Sequence, residues 1–167
     1  ANGCAVGLGT GNVKSGAMAK LKRVGIHERF DFGGFGDDHE LRPELIRRGA
    51  ERGAAKLGKP LNEVRVVVIG DTPKDVAAAQ AIGAESIAVA TGDIALEELK
   101  AAGPTHAFDD LTVPGALDAL LSERPDSDLV PKVVAGLLAS RTDGHWDNVQ
   151  ENSIILALII VVVGLIY

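Results

Sequence analysis

A single cysteine, Cys4, stands in a chain of 167 residues, so an internal disulfide is excluded and nothing marks an oxidising compartment. Aromatic residues make up only 4%, while Ala, Val, Ile, Leu and Gly are plentiful. That balance favours helices alternating with buried β-branched strands over a sandwich or barrel. Basic side chains are also in deficit: 17 Lys and Arg face 23 Asp and Glu, for a formal net charge of -6, and the basic ones are scattered. No basic face is available to neutralise phosphates along a strand of nucleic acid, so a nucleic-acid partner is excluded. The N-terminal residues lack the basic region and cleavage-like site of a secretory leader, and the expectation is a cytoplasmic protein. An initiator Met is missing too, and the chain opens inside what reads as a strand, which suggests truncation or processing. Long hydrophobic runs are equally scarce. The longest, Ile154 to Tyr167, has about fourteen residues, below the roughly 20 that a helix needs to cross a bilayer. Membrane contact of this tail therefore stays open, and its uncharged β-branched composition makes it prone to aggregate if exposed.

What remains, 46% hydrophobic and 24% charged, is ordinary globular composition for one domain around a single core. Cys4 to Leu8 reads as a strand, GLGTGN as a turn, and the next segment as a helix with Ala17, Leu21 and Val24 on one face and Gly25 as its stop. Phe30 to Phe35 reads as a short strand, and Leu41 to Leu57 as a helix with Leu45, Ile46, Ala50 and Ala54 inward. Val64 to Ile69 is apolar at almost every position, as expected of a parallel strand covered on both faces. Thr72, Pro73 and Asp75 then supply a hydroxyl cap, a first-turn proline and a carboxylate three residues after the cap, predicting a helix to about Ile82. Ser86 to Ala90 repeats the buried strand, Thr91 to Asp93 make a turn, Ile94 to Ala102 forms a helix, His106 to Phe108 an edge strand, and Val113 to Leu121 a last helix. The predicted class is α/β: a Rossmann-like parallel sheet with helices on both faces, occupying residues 1–121. A polar linker follows at 122–128, then a helical and apolar tail at 129–167.

In such a sheet, ligands bind at the carboxyl ends of the strands, where backbone N–H groups point outward. Two polar clusters fall there: Thr10, Gly11 and Asn12 after the first strand, and Asp71 to Asp75 after Val64 to Ile69. A hydroxyl with backbone amides suits phosphate oxygens, and paired carboxylates suit a hard divalent cation such as Mg2+. Each has a plainer reading. Asp75 is also a capping-box residue for Thr72, and Gly-Thr-Gly-Asn is also ordinary turn material. The glycines do not complete a dinucleotide fingerprint, and no Walker lysine-hydroxyl pair follows them.

GLGTGN, LRPEL, VVVIGDTPKDVAAAQAIGA and IAVATGD, in that order, resemble successive motifs of the haloacid-dehalogenase (HAD) superfamily, in its phosphoglycolate-phosphatase-like branch. The resemblance implies a Mg2+-dependent phosphoester hydrolase acting on a phosphorylated small molecule. It implies that Thr10, with Gly11 and Asn12, binds the phosphoryl group, that Asp71 and Asp75 anchor Mg2+, and that Arg42 is the basic catalytic residue steadying the phosphoryl charge. Arg47 and Arg48 compete for that last role. One departure matters. The family's first motif, a strand ending in Asp-x-Asp, normally precedes all of these and supplies the nucleophile, and this chain has no such segment. The expectation is therefore an inactive fragment, since losing the nucleophile removes the reaction. The resemblance puts that strand mid-sheet, between those ending at Leu8 and Ile69. Its loss leaves a gap to be closed by direct pairing of those two strands or by a strand from a partner chain, or else a poorly ordered sheet. A cap domain would be absent as well.

The stretch from about Leu129 to Leu158 resembles a helical segment of bacterial alpha-2-macroglobulins, without their Cys-Gln thioester. The whole then reads as a composite, whose terminal IIVVVGLIY fits neither parent. The plainer reading makes Val130 to Ala139 an extra helix and Trp146 a loop anchor. The competing function is a non-enzymatic interaction or membrane-associated module with the apolar tail docked outward.

Overall fold

A computed structural model describes residues 3–121 and 159–164. The linker, the segment resembling macroglobulins and Trp146 lie outside them.

Six strands form one sheet in the order β2-β1-β6-β3-β4-β5, with β1 at Cys4–Gly9, β2 at Gly33–Gly34, β3 at Val64–Gly70, β4 at Glu85–Val89, β5 at His106–Phe108 and β6 at Ile159–Gly164. The helices are α1 (Lys14–Arg23), α2 (Arg42–Lys56), α3 (Pro73–Ala81), α4 (Leu96–Ala101) and α5 (Ala116–Leu121). Alternation along the strands splits the core between two faces. Cys4, Val67, Ile69, Ile87 and Val89 pack with Ala119 and Leu120 of α5, and Leu8 packs with Ala17 and Leu21 of α1. On the other face Val68 meets Leu45, Ile46, Ala50 and Ala54 of α2 and Ala78 and Ala79 of α3, and Ala88 meets Val76 and Leu99. The predicted α/β class, with helices on both faces of a mainly parallel sheet, is the architecture observed.

The departure is at the centre. Direct pairing of β1 with β3 is not how the gap is closed, because another strand stands between them. The chain's own tail enters as β6, antiparallel to both neighbours, with Cys4 to Leu8 opposite Val163 to Ile159 and Val64 to Ile69 opposite Gly164 to Ile159. IIVVVG is built almost wholly from residues that favour the extended backbone and has no ionisable side chain, which suits a strand between two others. Two pairing edges that would otherwise leave N–H and C=O groups unpaired are closed by one segment.

Smaller differences have local causes. Phe30 to Phe35 is a strand only at Gly33–Gly34, because Phe30 and Phe35 turn into the core beside α1. The two glycines are needed for contact: a Cβ on Gly34 would lie 1.7 Å from the Leu45 carbonyl oxygen, and one on Gly33 2.2 Å from that of Leu8. Thus α2 rides directly on the backbone of β2. The last helix starts at Ala116 rather than Val113, after Gly115 at φ 89°, a conformation that glycine adopts without strain.

Candidate functional site

Leu8 and Ile69 are both paired in register with Ile159, so β1 and β3 run parallel to each other with β6 between them. Thr10 and Asp71 each lie two residues further along their chains, at one rim of the sheet. Two strand spacings separate them, about 10 Å. The two polar clusters picked out from the sequence therefore share a rim.

Around Thr10 the loop is held by its own hydrogen bonds. Thr10 is 5% exposed, and its Oγ1 accepts from both the backbone N–H and the Nδ2 of Asn12, each at 3.2 Å. The Thr10 N–H donates to the Gly34 carbonyl at 2.9 Å, tying the loop to the end of β2. Gly36 crosses so closely that a Cβ there would be 2.2 Å from the Gly11 carbonyl oxygen. Gly11 and Asn12 remain exposed, and Lys20 Nζ donates to Asn12 Oδ1 at 3.5 Å. The Thr10 hydroxyl keeps its own proton to donate, since both of its contacts use it as acceptor.

Across the rim, Asp75 is 2% exposed and fully engaged. Its Oδ2 accepts from the Thr72 N–H at 3.1 Å and the Thr72 hydroxyl at 2.8 Å, completing a capping box at the start of α3. Its Oδ1 accepts from Arg42 Nε at 2.8 Å and Nη2 at 2.5 Å. Arg42 opens α2 and reaches Asp75 across 33 positions of sequence. Its two competitors do not reach this rim: Arg47 pairs with Glu44 at 3.6 Å and Arg48 with Glu51 at 3.1 Å along the same helix. Gly70 makes room for the pair, because a Cβ there would lie 2.4 Å from the Asp75 Cβ.

Asp71 has a different setting. It is half-buried, and burial first, then the neighbouring Asp75 charge, raises its carboxyl above the usual range against the opposing pull of Arg42. Its Oδ2 sits where a Cβ on Gly92 would be 2.3 Å away, so the side chain leans towards the loop after β4. That loop holds Asp93, which adds to the rise, and Thr91, whose buried hydroxyl has no partner among the described residues. In the sequence Thr91 to Asp93 read as a turn within the IAVATGD motif, with no role of their own. The shared signal was the position of the turn, directly after a buried strand at the same carboxyl rim.

The donor set can be tested against Mg2+, which takes six oxygens in near-octahedral geometry and usually one or two carboxylates with waters. Of the two expected anchors, Asp71 has an available carboxylate. Asp75 already accepts four hydrogen bonds. No group of three or more His, Cys, Asp or Glu side chains capable of holding a metal occurs among the described residues. The pair does not fit the ion as a two-carboxylate site.

A second polar cluster lies at the β2 edge. Arg52 forks onto both oxygens of Asp38 at 2.6 Å and donates to the Gly33 carbonyl, and this holds the Asp38 carboxyl below its usual range. With Lys14, Phe32 and Phe35 it lines a cavity of about 240 Å³. Arg52 is engaged by protein acceptors, so the cluster fastens the 31–38 loop to α2.

No curated protein matches the chain. Residues 41–113, running from the helix that carries Arg42 through Asp71 and Asp75 to the segment after β5, match the HAD-hydrolase-like family model, and the match excludes both Thr10 and β6. It is this segment, with the Arg42–Asp75 pair and Asp71 at its rim, that is similar to the HAD-hydrolase-like family.

Proposed function

We propose that the chain is a phosphohydrolase-type domain that holds a phosphoryl group at the rim between Thr10 and Arg42 but does not turn substrate over by itself. The observation that carries this reading is the identity of the strand between Thr10 and Asp71. It is IIVVVG, it runs opposite to its neighbours, and it brings no carboxylate to the rim. A covalent phosphoryl transfer needs a nucleophile there. The remaining groups bind and orient: the Thr10 hydroxyl and the exposed Gly11 backbone N–H present donors to phosphoryl oxygens, the Asn12 N–H holds the Thr10 oxygen in place, and Arg42, fixed by Asp75, adds positive charge. The substrate class is a phosphorylated small molecule. The Mg2+ expected of a HAD phosphatase is left with Asp71 as its available carboxylate, so no step is assigned to it.

The competing reading, a binding module with its tail docked on a partner or membrane, requires the apolar tail to face outward. Residues 159–164 instead pair on both sides within the sheet, and no helix of the described residues is long and apolar enough to cross a membrane.

The test is hydrolysis of p-nitrophenyl phosphate by purified protein with added Mg2+. The expected rate equals that of Asp71→Ala. Turnover that Asp71→Ala abolishes would overturn the proposal. In parallel, inorganic phosphate should bind the wild-type chain more tightly than Thr10→Val, which keeps the side-chain shape and removes the donor.

A further inference from the structure

We propose that Arg42 is a built-in cation that takes the place of a divalent ion on Asp75, so that Asp71 and Asp75 act separately and do not form a shared metal site. The inference rests on the hydrogen bonding of Asp75 and is independent of the phosphohydrolase reading.

Asp75 accepts from two donors on each oxygen, Arg42 Nε and Nη2 on one and the Thr72 N–H and hydroxyl on the other. An ionised carboxylate offers about four lone-pair sites, so the inventory is full. Arg42 approaches one oxygen with two N–H groups at 2.8 and 2.5 Å, and its side chain is 34% exposed against 2% for Asp75. The negative charge is thus neutralised from the solvent side, the direction from which a hydrated ion would arrive. A metal ion would have to displace Arg42 or break the capping box, and it would lose a charge-assisted pair in either case. Gly70 packs closely against Asp75, since a Cβ there would lie 2.4 Å from the Asp75 Cβ and 2.5 Å from its Oδ2. Asp71 leans towards Gly92, and the charges of Asp75 and Asp93 both bear on it. One available carboxylate with loosely placed neighbours binds Mg2+ weakly, since this ion gives up its waters reluctantly.

This reading predicts a gain of binding on removing a cation. Titration calorimetry with MgCl2 alone should give no saturable binding by the wild-type chain at submillimolar concentration. Arg42→Met unloads Asp75 Oδ1 and should bind Mg2+ at least tenfold more tightly than wild type, with Arg42→Met/Asp75→Asn returning to the wild-type response. Equal Mg2+ affinity of wild type and Arg42→Met would overturn the proposal. A second comparison needs only the intact Arg42. Mg2+-induced change in the melting temperature should be the same for wild type and Asp75→Asn, and a wild-type Mg2+ response that Asp75→Asn removes would also overturn it. Far-UV circular dichroism reports whether each variant is folded. Absence of phosphatase turnover leaves this inference standing, whereas Mg2+ binding through Asp75 sinks it without touching the proposed function.

Discussion

Leu8 and Ile69 stand level with each other on either side of one residue, Ile159, although 61 positions separate them in sequence and Ile159 comes from the far end of the chain. That coincidence of register sets the geometry of the rim. Two residues on, Thr10 and Asp71 emerge side by side with the start of β6 between them. The same relationship explains why β6 itself brings no carboxylate to the rim, for the middle strand arrives there with its first residue instead of ending there. Strand direction thus decides chemistry, because ligand-facing side chains collect where strands end.

The placement of β6 is testable through the lone cysteine. Cys4 lies directly opposite Val163 in an antiparallel pair, where Cα atoms are about 4.5 to 5.5 Å apart, within the window for a disulfide. Val163→Cys should therefore form an intramolecular bridge with Cys4 under a mild oxidant, seen as a monomer of increased gel mobility that reverts on reduction. Burial pushes the Cys4 thiol up to about 11, so in the wild-type protein it should resist alkylation at neutral pH until the chain is unfolded. A bridge that forms only between two molecules would mean that β6 is supplied by another copy.

Much of this arrangement was legible in the sequence, where composition and period reflect local physics. The run VRVVVIG can be nothing but a buried strand, and Thr72-Pro73 with Asp75 announces a helix start. Arg42 was picked out over Arg47 and Arg48 only by the motifs around it. The structure supplies the physical reason, since helix position sends the other two along the α2 surface to Glu44 and Glu51. Position at the rim also identified Asp71 and Thr10. The role of Asp75 was not decidable, because a carboxylate three residues after a hydroxyl cap satisfies a capping box and a ligand pattern equally well. Only the approach of Arg42 from another helix distinguishes them. The destination of the tail was hidden for a different reason. Hydrophobic strands pair by register and shape, and nothing in IIVVVG states which edges it will join or in which direction.

Asp71 gives a pH signature whose sign can be worked out. Its folded-state carboxyl is raised above the ordinary value of 3.8 by burial and by Asp75. The fold therefore favours the protonated form, and that favourable contribution is present below the ordinary value and lost as pH rises through the folded one. Asp71→Asn should consequently be more stable than wild type at neutral pH, with the gap closing as the solution is acidified to about pH 3. Urea midpoints of the two proteins at a series of pH values report the difference directly. A variant less stable than wild type at pH 7 would mean that the ionised carboxylate is stabilised by a partner.

Gly34 carries a steric prediction. An added methyl would meet the Leu45 carbonyl oxygen at 1.7 Å and the Gly49 nitrogen at 3.2 Å, both backbone atoms that no rotamer change can move. Gly34→Ala should cost about 3 kcal/mol, the upper part of the usual range for overpacking a tight core. It should also loosen the Thr10 loop, whose N–H is anchored on the Gly34 carbonyl. Gly11→Ala serves as the control, since a Cβ there meets nothing within 4 Å. Chemical denaturation of the pair should separate them clearly, and similar midpoints would show that α2 can shift away from β2.

Arg65 tests how the opposite rim is fastened. Its side chain is 8% exposed and forks onto Glu85 at 2.7 and 2.6 Å, joining β3 to β4, while the same guanidinium donates to the carbonyls of Leu120 and Ala119 at 2.8 and 3.0 Å. Those carbonyls lie towards the C-terminal end of α5, where a cation is favoured. Arg65→Met keeps the apolar stem but removes these donors to the two carbonyls and to the Glu85 carboxylate. A loss of about 2 kcal/mol is expected, from the hydrogen bonds of the buried guanidinium, since Glu85 is 39% exposed and its charge is screened by solvent. Arg65→Lys should recover only part of it, because a single ammonium cannot reproduce the fork on Glu85 and still reach two carbonyls. Glu85 adds a pH dependence of opposite sign to that of Asp71. Arg65 holds its carboxyl below the ordinary 4.5, so the stability it contributes is present above that value and lost as pH falls through the folded one. Unfolding midpoints of wild type and Arg65→Met should therefore converge in acid, and curves that stay parallel down to about pH 2 would assign the loss to α5 packing instead.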